Sequence, residues 1–300
     1  MIIKIVKMLF LATAIGMGVL IVLLFWENDE ASKQALIIKE PARLLRCNFY
    51  NSKDFMNSIQ EAKKYEFGEK LILGGITPHH LLAGKLIASF FKGVAKSKPE
   101  LVVMIAPNHK GVGVKNIQTG GWGWNTPFGV LQGDSESAKI LLRSKLAGSN
   151  FNLLQEDHSI AGLIPYIKYY MPDARVLPIL LHGSLDIDSA QRLGKDLKEM
   201  FEGERVVFIA SVDFSHYLTM EEADKKDAET LDTLKSGNLQ RLSMYGNDHL
   251  DSPQSIITLL SAIGSKGESK LEILEHSNAD RITELKSDNT TSYFTIIYLK

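Results

Sequence analysis

Three apolar runs in this chain each end in a turn that carries histidine. Leu71-Ile72-Leu73-Gly74-Gly75-Ile76-Thr77-Pro78 leads into His79 and His80, and Val102-Val103-Met104-Ile105-Ala106-Pro107-Asn108 leads into His109. Val206-Val207-Phe208-Ile209-Ala210-Ser211-Val212 leads into Asp213 and, three residues on, His216. His182 follows Leu177-Pro178-Ile179-Leu180-Leu181 in the same way. Neutral imidazole is the commonest protein ligand for transition metals, and imidazoles with carboxylates suit iron, copper, zinc or manganese. A catalytic ion usually takes three protein ligands and leaves positions open. There is no His-Glu-x-x-His, so a site here needs ligands from separate strand ends. The bland alternative is that each histidine hydrogen-bonds its own turn.

Other residues offer supporting chemistry. Asp213 could orient His216 or act beside it as acid or base. A hydrolase built on Ser215 and His216 is disfavoured, because sequence neighbours seldom face each other and no Gly-x-Ser-x-Gly elbow is present. Capping of a helix near Thr219 would explain Asp213 and Ser215 equally well. Trp122 and Trp124 lie in the glycine-rich stretch 120–129 and could wall a flat organic ligand or pack on the domain itself. Asp157 and His158 precede a helix at Ile160, with Ser159 as its natural N-cap.

Strand-like runs at 70–76, 101–106, 175–181, 205–211, 271–276 and 292–299 alternate with helical patterns at 80–96, 135–146, 160–170, 186–201, 219–236 and 252–263. Continuous Val/Ile/Leu strands without strict alternation are expected where helices cover both faces of a sheet. The pattern predicts a three-layer α/β/α sandwich with a mostly parallel central sheet. In such sheets ligands gather at the carboxyl ends of strands, where all three histidine turns fall.

The net charge of -1 across 300 residues gives no overall pull towards nucleic acid. One cysteine, Cys47, excludes a disulfide framework. Lys4 and Lys7 precede an uncharged apolar run, Met8 to Trp26, with Glu27, Asp29 and Glu30 beyond it. A helix of that length roughly spans a hydrocarbon core of about 30 Å, and the flanking charges place the rest of the chain outside. The expected organisation is an anchor over 1–26, a linker over 27–45 and one domain over 46–300. That makes a single-pass membrane protein with an extracytoplasmic domain, or a secreted one if the leader is cleaved.

The motifs Pro78-His79, Pro107-Asn108-His109, Trp122-Gly123-Trp124-Asn125-Thr126-Pro127, Asp157-His158-Ser159-Ile160 and Ser211-Val212-Asp213-Phe214-Ser215-His216-Tyr217 together resemble the Memo-like proteins, called AmmeMemoRadiSam system protein B in prokaryotes. The match runs from about Lys70 to the C-terminus. The resemblance implies a fold like that of the class III extradiol dioxygenases, and a bound iron or copper ion. It assigns His79 and His109 as metal ligands, with Asp213 and His216 as pocket residues and His216 as the acid/base group. The family's third contact, a cysteine before a glycine, falls at Tyr245, with Asp248, His249 or Asp251 as replacements. Trp122, Trp124, His158, His80 and His249 would then line the substrate side. Ala161 stands where the family usually carries an acid. Three readings follow: a metal-dependent, dioxygenase-like oxidoreductase, a non-catalytic module for a small molecule or peptide, or a metal-dependent hydrolase.

Overall fold

Leu101–Pro107 is buried along its whole length, and its side chains divide by parity. Val103 and Ile105 enter one hydrophobic core with Leu177, Ile179, Leu193 and Ile257. Val102, Met104 and Ala106 enter a second with Ile87, Phe90, Ile164 and Ile167. Successive strand side chains point to opposite faces, so a strand that is apolar at every position must be covered on both.

The structure, a computed structural model, describes residues 43–264 and 269–300. Its strands are β1 (Leu45–Arg46), β2 (Ile72–Thr77), β3 (Leu101–Pro107), β4 (Ile117–Thr119), β5 (Trp124–Thr126), β6 (Gly129–Leu131), β7 (Ala147–Ser149), β8 (Arg175–Leu181), β9 (Val206–Ser211), β10 (His216–Leu218), β11 (Lys270–Asn278) and β12 (Thr290–Leu299). The α-helices are α1 (Ser52–Glu61), α2 (Gly84–Val94), α3 (Ser135–Arg143), α4 (Phe151–Glu156), α5 (His158–Ala161), α6 (Ile164–Tyr170), α7 (Ile187–Met200), α8 (Met220–Ser236), α9 (Leu239–Ser243), α10 (Pro253–Ile263) and α11 (Ala279–Thr283). Helices α7 and α10 contribute to the first core, and α2 and α6 to the second.

The fold is mixed α/β around a large, mostly parallel sheet. Strands β2, β9, β3 and β8 run parallel in that order. Antiparallel pairs flank them: β12 joins β2, with β10 and β11 beyond it, and β4 joins β8 on the other side. Strands β1, β5 and β6 form a separate small sheet. The parallel register, with Thr77 opposite Ser211 and Ile105 opposite Ala210, brings the carboxyl ends of β2, β3 and β9 to one rim.

The membrane expectation is corrected. Among the described residues no helix is long and apolar enough to cross a membrane. Even α8, at 17 residues, carries acids and lysines throughout. The run from Met8 to Trp26, and the linker as far as residue 42, lie outside the described residues; Leu44–Lys300 is one compact unit.

Two glycines let β2 sit between its neighbours. A Cβ on Gly75 would lie 2.5 Å from the Ile296 carbonyl oxygen and 2.6 Å from the Phe90 ring. Overpacking of this kind costs about 1–3 kcal/mol. Gly75→Ala is therefore expected to lower stability by about 2–3 kcal/mol, seen as a reduced urea midpoint at unchanged slope.

Candidate metal centre

The site begins where β2 and β9 leave the sheet. The Val212 amide donates to Thr77 O at 2.9 Å, which carries Asp213 over the Pro78–His80 turn. Asp213 Oδ1 then accepts from the backbone amides of His79 (3.0 Å) and His80 (3.4 Å). Held in this way, the turn buries His79 and leaves His80 exposed. The His80 ring meets the Tyr293 hydroxyl at 2.5 Å.

His79 Nδ1 lies 3.1 Å from Ser211 Oγ. That hydroxyl donates its one proton to the Ser159 carbonyl at 2.6 Å, so it accepts from the imidazole. Nδ1 therefore carries hydrogen, and in the neutral ring the lone pair resides on Nε2. His109 is prepared by other means. Asn108 closes its turn, accepting from the Gly111 amide and donating to Val112 O, and Gly111 takes the left-handed conformation at φ +61°. Asp157 accepts from the His109 amide at 2.8 Å and faces His109 Nδ1 at 3.1 Å. A carboxylate on one ring nitrogen fixes the tautomer and leaves the other for an ion.

Both Nε2 atoms converge on Asp251, whose Oδ2 lies 3.2 Å from His79 Nε2 and 3.6 Å from His109 Nε2. Asp213 Oδ2 is 3.6 Å from His79 Nε2. His158 completes the cluster, its ring stacked on His109 at 4.4 Å between centroids. Two groups, His79 with His109 and His158, and His79 with Asp213 and Asp251, have ligand atoms within 4.8 Å of one another. Donors about 2.0–2.2 Å from a common ion stand at such separations.

The donor set passes a test of fit. Both carboxylate oxygens of Asp251 are buried without a hydrogen-bond partner. What faces them is the pair of imidazoles, whose Nε2 atoms stand 3.2 Å and 3.6 Å from Oδ2, and a divalent cation between the carboxylate and the two neutral rings would take the place of the ring protons as the compensating charge.

Residues 49–297 match the family described as Memo-like protein. The chain belongs to the Memo-like family. It is 26% identical to a MEMO1 family protein of Pyrobaculum aerophilum, over 84% of this chain and 96% of that one. It is 33% identical to one of Caldivirga maquilingensis, over 66% of this chain and 76% of that one. A MEMO1 family protein of Aquifex aeolicus is 26% identical over 87% of this chain and 99% of its own. In fold the chain is similar to an uncharacterized protein of Escherichia coli K12, with a TM-score of 0.50 at 12% identity, covering 71% of this chain and 92% of that one.

Several Memo-motif residues lie elsewhere than expected. The Tyr245 hydroxyl is 2.7 Å from Thr233 Oγ1 and its ring lies flat on His249 at 3.9 Å; it is in neither ligand group. The loop that follows it delivers Asp251. The amides of His249 and Leu250 both donate to Gly246 O, and the Asp251 amide donates to Asp213 O at 3.1 Å. His249 faces Glu229 and Asp248 rather than the histidine cluster.

Trp124 is fully buried in the second core. Trp122 packs edge-on against Phe151, with Gly120 so close that a Cβ would lie 2.3 Å from the indole. Gly120 thus makes room for the Trp122 ring. His216 donates its amide to Asn247 O, while its Nδ1 is buried without a partner; it joins neither ligand group.

Capping expectations also shift. Asp157, not Ser159, caps α5, which starts at His158, and Asp157 serves His109 instead of its neighbour. Thr219 caps α8 through a capping box with Glu222, which leaves Asp213 for the His79 turn. Ser215 donates to Asp227 at 2.6 Å. His182 folds back on Ser184.

A groove of about 780 Å³ runs beside the centre between α1, the 3₁₀ turn Leu81–Ala83 and α6. None of the clustered histidines lines it. Phe49, on its wall, lies 6.1 Å from the His158 ring.

Charge is finely opposed around the cluster. Burial disfavours a proton on His79, yet Asp213 and Asp251 outweigh it and raise the ring above its ordinary value. Burial likewise opposes a charged His109, but Asp157 and Asp251 lift it to about 10. Burial, reinforced by those two imidazolium charges, pushes His158 down to about 4. Burial alone would raise Asp251, and the two rings hold it well below the usual carboxylate range instead.

With no ion bound, the stability contributed by the raised His109 is whole below its unfolded value of 6.5 and drains away as pH rises through about 10. Asp251→Asn removes one source of that rise. Thermal denaturation in chelator should show a smaller alkaline loss between pH 7 and 10 for the variant than for the parent.

Proposed function

We propose that this Memo-like chain holds one divalent transition ion, iron or copper, through His79 Nε2, His109 Nε2 and the Asp251 carboxylate, and acts oxidatively on a small organic substrate. The observation that carries this reading is the Asp251 carboxylate, buried without a hydrogen bond opposite two imidazoles whose other nitrogens are already engaged by Ser211 and Asp157. Two histidines and one carboxylate with open positions are the donor set of non-haem iron(II) oxygenases. Bound there, the ion would supply Lewis-acid and redox chemistry.

The chain's own residues would do the rest. Ser211 and Asp157 keep both imidazoles in the ligating tautomer. Asp213 holds the His79 turn and adds negative charge 3.6 Å from its Nε2, which favours a cation. His158, kept neutral near pH 7 chiefly by burial, is the group placed to accept a proton beside the ion. Substrate would approach past Phe49 from the neighbouring groove.

Anaerobic reconstitution with Fe(II), followed by elemental analysis, is expected to give about one equivalent in the parent. His79→Ala and Asp251→Ala should fall below about a tenth of an equivalent, while Tyr245→Phe should load fully. Asp157→Asn should weaken affinity by about 10- to 100-fold. Loss of the ion in Tyr245→Phe with retention in Asp251→Ala would overturn the ligand assignment.

Because an ion must displace protons from His79 and His109, its affinity should rise with pH and level off above about 10. Titration calorimetry in buffers of different ionisation enthalpy reads the protons released. Oxygen uptake with a panel of catechols tests the chemistry. Full metal loading with no uptake but ester or amide cleavage would instead indicate metal-activated water.

A further inference from the structure

The centre contains one imidazole more than the ligand set above uses. His79 stands edge-on to both of the others, its ring 5.0 Å from that of His109 and 5.2 Å from that of His158, at 79° and 78°. A ring nitrogen from each of the three lies within 4.8 Å of the other two.

His158 differs from its neighbours in being unheld. Ser211 engages His79 Nδ1 and Asp157 engages His109 Nδ1. Neither nitrogen of His158 has a hydrogen-bond partner among the described residues, and neither is sealed from solvent. Asp157, beside it in sequence, is committed to His109 and Ser159.

The His158 ring lies over His109 at 4.4 Å and 23°. Two imidazoles stacked so nearly parallel cannot aim at one ion together, so ligation by His158 needs its ring to turn out of the stack. Donors about 2.0 Å from a shared ion stand at most about 4 Å apart, which makes the closure required about an ångström. No hydrogen bond opposes the turn, only ring contacts with His109 and Phe49.

What favours the turn is the chemistry of the ion. Two imidazoles and a carboxylate with open positions suit iron(II), whereas copper(II) takes a tetragonal set of nitrogen and oxygen donors. A tetragonal plane has four places, and His79, His109 and Asp251 fill three of them. We propose, on the basis of that ligand set, that His158 is an ion-dependent fourth ligand, turned into the donor set by copper(II) and left stacked on His109 by iron(II). The group placed to accept a proton is then tied up in the copper form and free in the iron form. The identity of the ion thereby decides whether the site keeps its base.

The test is pulsed electron paramagnetic resonance of the full chain loaded with copper(II), which counts bound imidazoles through their remote ring nitrogens. Three are expected in the parent and two in His158→Phe, and the signal should vanish in His79→Ala. Competition titrations should show His158→Phe losing at least about tenfold in copper(II) affinity, no less than the loss of an outer-shell partner costs. Its anaerobic iron(II) affinity should match that of the parent, which also shows that the variant is folded at the centre; His158→Gln replaces it if it is not. Two imidazoles in the copper-loaded parent, or equal weakening of both ions in the variant, overturns the proposal and leaves the metal centre standing. A copper signal unchanged in His79→Ala overturns it by placing copper elsewhere. Failure of the parent to load either ion overturns the underlying ligand assignment as well.

Discussion

A hydroxyl has one proton to give, and Ser211 gives its own to the carbonyl of Ser159. That commitment decides the protonation of His79, because an oxygen that has already donated can only accept from the ring. The same bond ties the end of β9 to the start of α5, the helix whose cap, Asp157, orients His109. The two imidazoles are therefore not set independently. A short chain of hydrogen bonds, all in the buried rim of one sheet, aims both Nε2 atoms at the same point.

Around that point three carboxylates face two protonated imidazoles, with His158 neutral beside them. Asp157 works from behind His109, Asp213 spans the backbone of one turn and the ring of His79, and Asp251 faces both rings directly. Each acid raises the proton affinity of the ring it faces, the rings depress that of Asp251, and burial, reinforced by their repulsion, depresses that of His158. In a buried setting the two ring charges offset most of the negative charge of the acids and leave the cluster net negative. An ion entering it exchanges protons for its own charge instead of adding uncompensated charge to the interior.

Much of this was legible in the residues. Apolar runs that stop at Pro-His, Pro-Asn-His and Asp-Phe-Ser-His marked the strand ends, since a strand buried on both faces has no polar position to hide. Six predicted strands recur within a few residues of their boundaries. The short strands β4 to β7 and β10 carry too few residues for a period to show, and β12 gives no sign in its own composition that it runs antiparallel to β2. Asp251 was one candidate among several acids and histidines in a polar loop. Nothing in its spacing from Gly246 distinguishes it from Asp248, because the loop's fold depends on its bonds to Gly246 O and Asp213 O. At the tryptophans the sequence left a ligand wall and self-packing both open, and Gly120 proves to be the gap that lets the Trp122 ring pack.

Alone, the sequence determined which side chains were available and at which end of the sheet they would stand, because periodicity and chain direction are local properties. Tertiary structure decided which of them meet. It turned His79 inward and His80 outward, gave Asp157 to His109, assigned Tyr245 to Thr233 and brought Asp251 to the histidines. Apart from the Tyr245–Thr233 contact, which spans twelve positions, those choices rest on contacts between residues tens to more than a hundred positions apart, and the register of strands β2, β3 and β9 places such partners within reach.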